Sequence, residues 1–247
     1  RDDLKLAFEL PGTDAIAWGL RPDAPKLLDA LNRFMHLEFA SQHLTEPHTG
    51  DLDVIRSRRV LRVLLRNNAA SYFLYRGELK GFEYELAKAF AKAKGLRLEV
   101  IVPDTYAEMM DWLIEGRADI AAGFLEADPD IASRGIAFSR PYHRAPRHFI
   151  VAEGADVEGV EDLTALTVMA RRSSSYWKDL EALREQGGLF ELVAAPEDVE
   201  TEELIDWVAR GLIDGTVADG HVLDIELARG VAVQSGFTIS DERAHSV

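Results

Sequence analysis

Val60-Leu61-Arg62-Val63-Leu64-Leu65, Phe82-Glu83-Tyr84-Glu85-Leu86-Ala87-Lys88-Ala89-Phe90-Ala91-Lys92-Ala93-Lys94-Gly95 and Leu96-Arg97-Leu98-Glu99-Val100-Ile101-Val102 decide the fold. The first run is apolar but for one Arg and reads as a buried strand. In the second, Phe82, Leu86, Phe90 and Ala93 fall on one helical face, and Gly95 marks the stop. The third is a strand with its β-branched weight at the end. Residues 106–115 then repeat at helical spacing, with Tyr106, Met109, Met110, Leu113 and Ile114 inward and Gly116 closing the helix. Residues 119–122 form the next strand. The series is βαβαβ, which implies parallel pairing and right-handed crossovers.

A second series follows. Residues 148–152, 166–170, 189–194 and 215–219 read as strands. Residues 174–186, 201–210 and 222–229 read as helices, with Leu204, Trp207 and Val208 inward. The expectation is two α/β lobes with a cleft between them.

The chain has 247 residues, enough for one or two domains. Its net charge of −15 repels phosphate backbones and anionic lipid, which argues against nucleic acid as the main partner. No apolar run approaches 18 residues, so no membrane-spanning helix is expected, and no signal peptide is legible at residue 1. The absence of cysteine removes disulfides, thiolate zinc sites and Cys nucleophiles. The seven His lack zinc spacing, and no nucleotide-cradling Gly motif occurs, so no metal or cofactor is expected.

Residues 1–46 stand outside the alternation. Residues 14–20 are a strand candidate. Asp23-Ala24-Pro25 starts a helix, followed by Leu27, Leu28, Leu31, Phe34 and Met35 at helical spacing. Residues 41–51 read as a linker. A faint echo relates Phe8–Trp18 to Phe237–Val247 through Phe8/Phe237 and Ala15/Ala244.

Four motifs occur in order over residues 58–247. They are Gly81-Phe82-Glu83-Tyr84-Glu85-Leu86-Ala87-Lys88-Ala89-Phe90, Gly116-Arg117-Ala118-Asp119-Ile120-Ala121-Ala122-Gly123, Phe138-Ser139-Arg140-Pro141-Tyr142 and Asp214-Gly215-Thr216-Val217-Ala218-Asp219. They resemble the first helix, the Gly-x-x-Asp strand, the lobe-crossing Phe-Ser-x-Pro-Tyr and the second-lobe strand of the extracytoplasmic solute-binding proteins of family 3, the polar amino-acid type. Phe73-Leu74-Tyr75-Arg76-Gly77-Glu78 and Arg171-Arg172-Ser173-Ser174-Ser175-Tyr176-Trp177 are closer still to the solute-binding-like module of membrane-bound lytic murein transglycosylases of the F type. The resemblance implies an α/β, two-lobed periplasmic-binding-protein fold of type II, the Venus-flytrap, with two hinge crossovers. It implies lobe 1 at residues 47–142, lobe 2 at 143–239 and a return crossover at 240–247, the hinge strands passing near 141–143 and 240–244. Residues 6–39 resemble the family's tail strand and helix, so residues 1–46 are expected to be the tail of a preceding or permuted module plus linker. Residues 14–39 are then expected to dock on lobe 1 or to be exchanged with a neighbouring chain, in a tandem or domain-swapped arrangement.

The resemblance also implies an extracytoplasmic or periplasmic location, a small amino-acid, peptide or cell-wall-fragment ligand, and no catalysis by this chain. The Glu-Ser dipeptide that carries the transglycosylase acid is absent, so that activity is not carried over. The output is then a sensor or binding module, its closure regulating an appended domain. Two alternatives stay open. One is a periplasmic dehydratase of prephenate type, with Glu126, Asp130 and His221 as candidate acids. The other is a degenerate interaction module with an empty cleft.

A free amino acid asks for an Arg fork, hydroxyl or backbone donors, and a carboxylate for its ammonium. Asp219 matches the family's ammonium-binding Asp, with a helix-capping role as its alternative. Ser173 matches the second-lobe Thr before a helix, where it and Ser174 offer donors to an anion. Arg172, with Arg171, replaces the usual Ser-Gly. In lobe 1, Gly123 is retained, but Leu125 stands at the Thr position and two extra residues precede Phe138. Arg134 is the nearest Arg to take the carboxylate. Asn67 matches a polar first-strand residue. Ala70 stands where an aromatic often stacks, with Tyr72 or Phe73 as substitutes. His221 follows Asp219 toward the cleft. A micromolar site needs about −8 kcal/mol, and one charge-assisted hydrogen bond contributes about 1.5–3 kcal/mol. Losing the Arg and Thr donors therefore points to a ligand other than a free amino acid, or to none.

Overall fold

The computed structural model describes residues 23–31 and 47–246, the stretch 242–246 by backbone alone. The chain divides into two units, residues 1–46 and 47–247. In the first, residues 25–31 are helical. Pro25 opens the helix where its missing N–H costs nothing, and Leu28 N–H donates to Ala24 C=O at 3.1 Å. The tail strand, the rest of the 14–39 segment and the Phe8–Trp18 echo lie outside the described residues.

The second unit holds both lobes. Lobe 1 starts with α1 (Leu52–Arg58), capped by Asp51, and β1 (Val60–Leu64). Beyond the hairpin β2 (Phe73–Tyr75) and β3 (Glu78–Lys80) come α2 (Phe82–Lys94), β4 (Arg97–Ile101), α3 (Tyr106–Ile114) and β5 (Ile120–Ala121). The sheet order is β4-β1-β5, all parallel, with Val60 beside Arg97 and Val63 beside Ile120. β1 is central, and Leu61, Val63 and Leu64 are fully buried. Gly95 ends α2 in the left-handed conformation, φ 68°. Thr105 and Glu108 form a capping box on α3.

One helix face differs from expectation. In α2 the inward residues are Glu83, Tyr84, Ala87 and Ala91, whereas Phe82, Leu86 and Phe90 are exposed. Ala87 and Ala91 pack in one apolar cluster with Leu61 and Val63 of β1 and Leu98 and Val100 of β4, and Tyr84 packs on Tyr72 at 5.5 Å. Gly81 fixes the approach: a Cβ there would lie 2.1 Å from the Ser71 carbonyl oxygen. The exposed aromatics follow from that rotation. In α3, Met109 and Met110 are buried as expected, but Ile114 is exposed.

The chain continues through β6 (Leu125–Glu126) and α4 (Pro129–Ser133) into β7 (His143–Ala152). Lobe 2 adds β8 (Thr167–Arg171), α5 (Ser175–Glu185), β9 (Glu191–Ala195), α6 (Thr201–Ala209), β10 (Thr216–Asp219), α7 (Gly220–Ala228) and β11 (Val233–Ser246). β8 and β9 pair in parallel, and Val168 bridges Gly215. The other strands run β10-β7-β11-β6, all antiparallel. β7 starts five residues before the strand read at 148, and β11 runs unbroken through residues 239 and 240. Three register irregularities between Ser235 and Arg243 bend that ribbon. Its far end pairs with β6, whose Leu125 belongs to the first-lobe core with Leu64, Met109 and Met110. Two more core clusters, around Phe149 and Ile150, fill lobe 2. Two lobes joined by the β7–β11 ribbon make this a two-lobed α/β binding-protein fold.

Candidate functional site

The lobes face each other across a cavity of about 300 Å³. Its walls carry six cationic and six acidic side chains: Arg66, Arg134, Arg147, Arg171, Arg172 and Lys178 against Glu126, Asp128, Asp130, Glu200, Glu202 and Asp219. Such a wall suits a polar, compact guest. A second, apolar compartment of about 580 Å³ shares Ala70, Phe124 and His221 with it and continues between Phe73, Phe82 and Ile225.

The floor is built by β7. Along this strand Ala145, Arg147 and Phe149 alternate inward, so a guanidinium enters the buried face. Arg147 is 1% exposed. Its Nε donates to Asp219 Oδ1 at 2.9 Å, one terminal nitrogen to Asp179 at 2.5 Å, and the other to Glu126. The guanidinium lies over the Tyr176 ring, 4.5 Å from its centroid, and the Tyr176 hydroxyl donates to Asp219 Oδ2 at 3.1 Å. Burial works against the Arg147 charge, but Asp219 and the other acidic partners outweigh it and hold the pKa above its ordinary value. Burial first, and then the Asp219 charge, push the Tyr176 phenol well up.

Across the cleft, Arg66 from lobe 1 pairs with Glu200 from lobe 2, and Asn68 donates to the same carboxylate at 3.4 Å. Lys178 reaches Asp128 at 2.7 Å and Asp130 at 3.1 Å, at a more exposed position where such pairs contribute little. Glu202 is half-buried in the wall, and burial, helped by Glu200, pushes its carboxyl up to about 7.

The bulky Phe124 adopts φ 53°, a left-handed conformation that its side chain disfavours. It is held there from both sides. Its N–H donates to Glu83 at 2.7 Å, and its ring stacks on His221 at 4.3 Å. Glu83 also accepts from the Tyr142 hydroxyl, which ties α2 to the residue just before β7.

Of the residues singled out from sequence, Asp219, Ser173, Ser174, Gly123, Arg134, Arg172 and His221 line the cavity, as do Ala70, Arg171 and the candidate acids Glu126 and Asp130. Their environments differ from expectation in places. The Ser173 hydroxyl donates to Glu197. The N-cap of α5 is Ser174, which gives no side-chain cap and instead donates to Arg171 C=O at 2.8 Å. Arg134 pairs with Asp111 at 2.5 Å, both about half exposed. Arg172 lies over Trp177. Three residues sit away from the cavity. Asn67 is exposed, and Asn68 lines the wall instead; Tyr72 packs against Tyr84; Leu125 is core, since β6 turns its apolar side chain toward Met109. Arg147, Arg66, Glu200 and Tyr176 were not anticipated. For Arg147 the missed signal was period-two alternation from Ala145. Among the described residues no group of His, Asp and Glu is arranged to hold a metal ion.

Residues 61–226 match the family model described as bacterial extracellular solute-binding proteins, family 3. The chain is 32% identical over 200 residues to a membrane-bound lytic murein transglycosylase F of Ectopseudomonas mendocina, covering 79% of this chain and 40% of that protein. It is 34% identical over 190 residues to the protein of that name from Desulfosudis oleivorans, covering 76% and 41%. The chain thus spans about two fifths of these relatives' length. Among solved structures, the arginine-bound, truncated ArgBP from T. maritima is similar with a TM-score of 0.66 and 23% identity over 78% of this chain and 89% of that one. The ancestral amino acid-binding protein AncCDT-1, a precursor of cyclohexadienyl dehydratase, has a TM-score of 0.68 at 22% identity, covering 79% and 83%.

Proposed function

The chain belongs to the bacterial extracellular solute-binding proteins, family 3, and from that premise we propose that it is an extracytoplasmic sensor module that closes on a small amino-acid- or peptide-like ligand. One observation carries the reading: a compact cavity walled by charges from both lobes, with Gly123 on one side and Ser173, Ser174 and Asp219 on the other. A ligand touching both walls favours the closed state by its differential contacts, which is the whole of the driving force. By likeness to the longer relatives, closure is read out by an appended domain. Differential scanning fluorimetry with amino acids, dipeptides and muropeptides tests the reading. A ligand at 100 Kd stabilises by about 2.7 kcal/mol. A flat response across all three classes contradicts it and favours an empty interaction module.

A second reading, an enzyme of dehydratase type, is supported by Glu202, an acid in the cavity wall whose pKa of about 7 suits proton donation at neutral pH. Turnover of prephenate that disappears in Glu202→Gln supports it; no turnover removes it.

A further inference from the structure

The acidic pole of the cavity already contains a cation. Three carboxylates from three elements, Glu126 on β6, Asp179 on α5 and Asp219 at the end of β10, converge on Arg147, each meeting a different guanidinium nitrogen. Tyr176 closes the face of the group. This is the arrangement that recognises a guanidinium or ammonium ligand: acceptors around the edge, an aromatic over the plane, water excluded. Here the guest is covalently attached through β7.

Resting on the proposed ligand-binding reading, we infer that Arg147 is the specificity-determining residue of the cleft. It fills the cation seat at Asp219, so the cleft selects carboxylate ligands whose amine is acylated or absent, such as N-acyl amino acids or the C-terminal residue of a peptide. A free ammonium that reached Asp219 has to displace Arg147. A guanidinium 1% exposed then loses its partners in a water-poor site, and desolvation makes that exchange unfavourable. An acylated amine brings no charge and asks for no such exchange. It leaves the ligand's carboxylate to the cationic part of the wall, where Arg172 and the unpartnered Nε of Arg171 lie, the terminal nitrogens of Arg171 being held by Val199 and Thr201.

Two measurements test this. The first uses the unaltered chain. Isothermal titration with matched pairs, each free L-amino acid against its N-acetyl form, is expected to give at least tenfold tighter binding of an acetylated member. The second empties the seat. Arg147→Ala is expected to gain thermal stability from low-millimolar n-propylguanidinium, which replaces the deleted atoms, while the unaltered chain gains nothing. Arg147→Ala combined with Asp219→Asn loses the gain. The titrations need no variant and decide the matter if Arg147→Ala does not fold. Free amino acids that bind more tightly than their acetylated forms, with the affinity lost in Asp219→Asn, overturn the inference and leave the binding reading standing. If no pair member binds but propylguanidinium restores Arg147→Ala, the seat stands and ligand binding falls. If neither response occurs, both fall.

Discussion

Two buried Arg–Asp clusters, one in each half of the chemistry, look alike and behave differently. In lobe 1, Asp119 accepts from the Arg62 backbone N–H at 2.8 Å, from the Arg62 side chain at 3.0 Å and from Arg58. Two guanidiniums serve one carboxylate around the central strand β1, and neither cavity reaches them. Beside the cleft, one guanidinium serves Asp219, Asp179 and Glu126, and Arg147, Asp219 and Glu126 line the cavity. The first cluster fastens β5's lead-in to β1 inside a single lobe. The second gathers residues from both sides of the cleft. Chemistry alone does not separate structure from function here; the elements contributing the charges do.

The comparison yields an ordered set of tests. Arg147→Ala strands the facing carboxylates, and removing one partner of a buried ion pair costs about 3–5 kcal/mol. Urea unfolding is expected to show a loss of that size, and one under about 1 kcal/mol breaks the account of the cleft cluster. Asp119→Asn removes charge-assisted bonds worth about 2–3 kcal/mol while leaving ligand affinity unchanged, which separates the clusters. Burial opposes the Asp119 charge, but Arg58 and Arg62 prevail and hold its pKa below the ordinary 3.8. A depressed pKa contributes stability that is present above 3.8 and lost as pH falls through the folded value. The gap between the unaltered chain and Asp119→Asn is therefore expected to narrow in acid.

Glu202 has the opposite sign. Its pKa rises from 4.5 to about 7 in the folded state, so across that window the folded chain keeps a proton that the unfolded chain has released. Stability falls as pH rises through the window, and Glu202→Gln is expected to remove that slope, gaining about 1–3 kcal/mol at pH 8 and little at pH 4. Parallel melts at the two pH values read it directly. The smallest effect belongs to Arg134→Ala. Its pair with Asp111 is about half exposed, and such pairs contribute less than about 1 kcal/mol. A larger loss of stability ranks it with the buried clusters.

The lobes were legible because their strands are short apolar runs separated by Gly-stopped helices, as at Gly95 and Gly116. What escaped was whatever depended on partners distant in sequence. Phe82, Leu86 and Phe90 form a better apolar stripe than Ala87 and Ala91, yet it is the small residues that face the β1 and β4 side chains in the core. The β2–β3 hairpin turns on Arg76 and Gly77, both at positive φ, a pairing in which Arg hides the usual Asn-Gly signal. Most of the residues singled out from the sequence for the cleft reach the cavity, since motif order places loop ends at the cleft. Arg147 does not stand out, because a lone Arg in a strand acquires meaning only when carboxylates 21, 32 and 72 residues away in the chain converge on it.

The most direct test follows the backbone amides of the chain by NMR while the best ligand of the panel is titrated in. Resonances of Gly123 in lobe 1 and of Ser173 and Ser174 in lobe 2 are expected to shift together along a single saturating curve. Shifts confined to one lobe, or scattered over the exposed face of α2, contradict a cleft that closes on its guest.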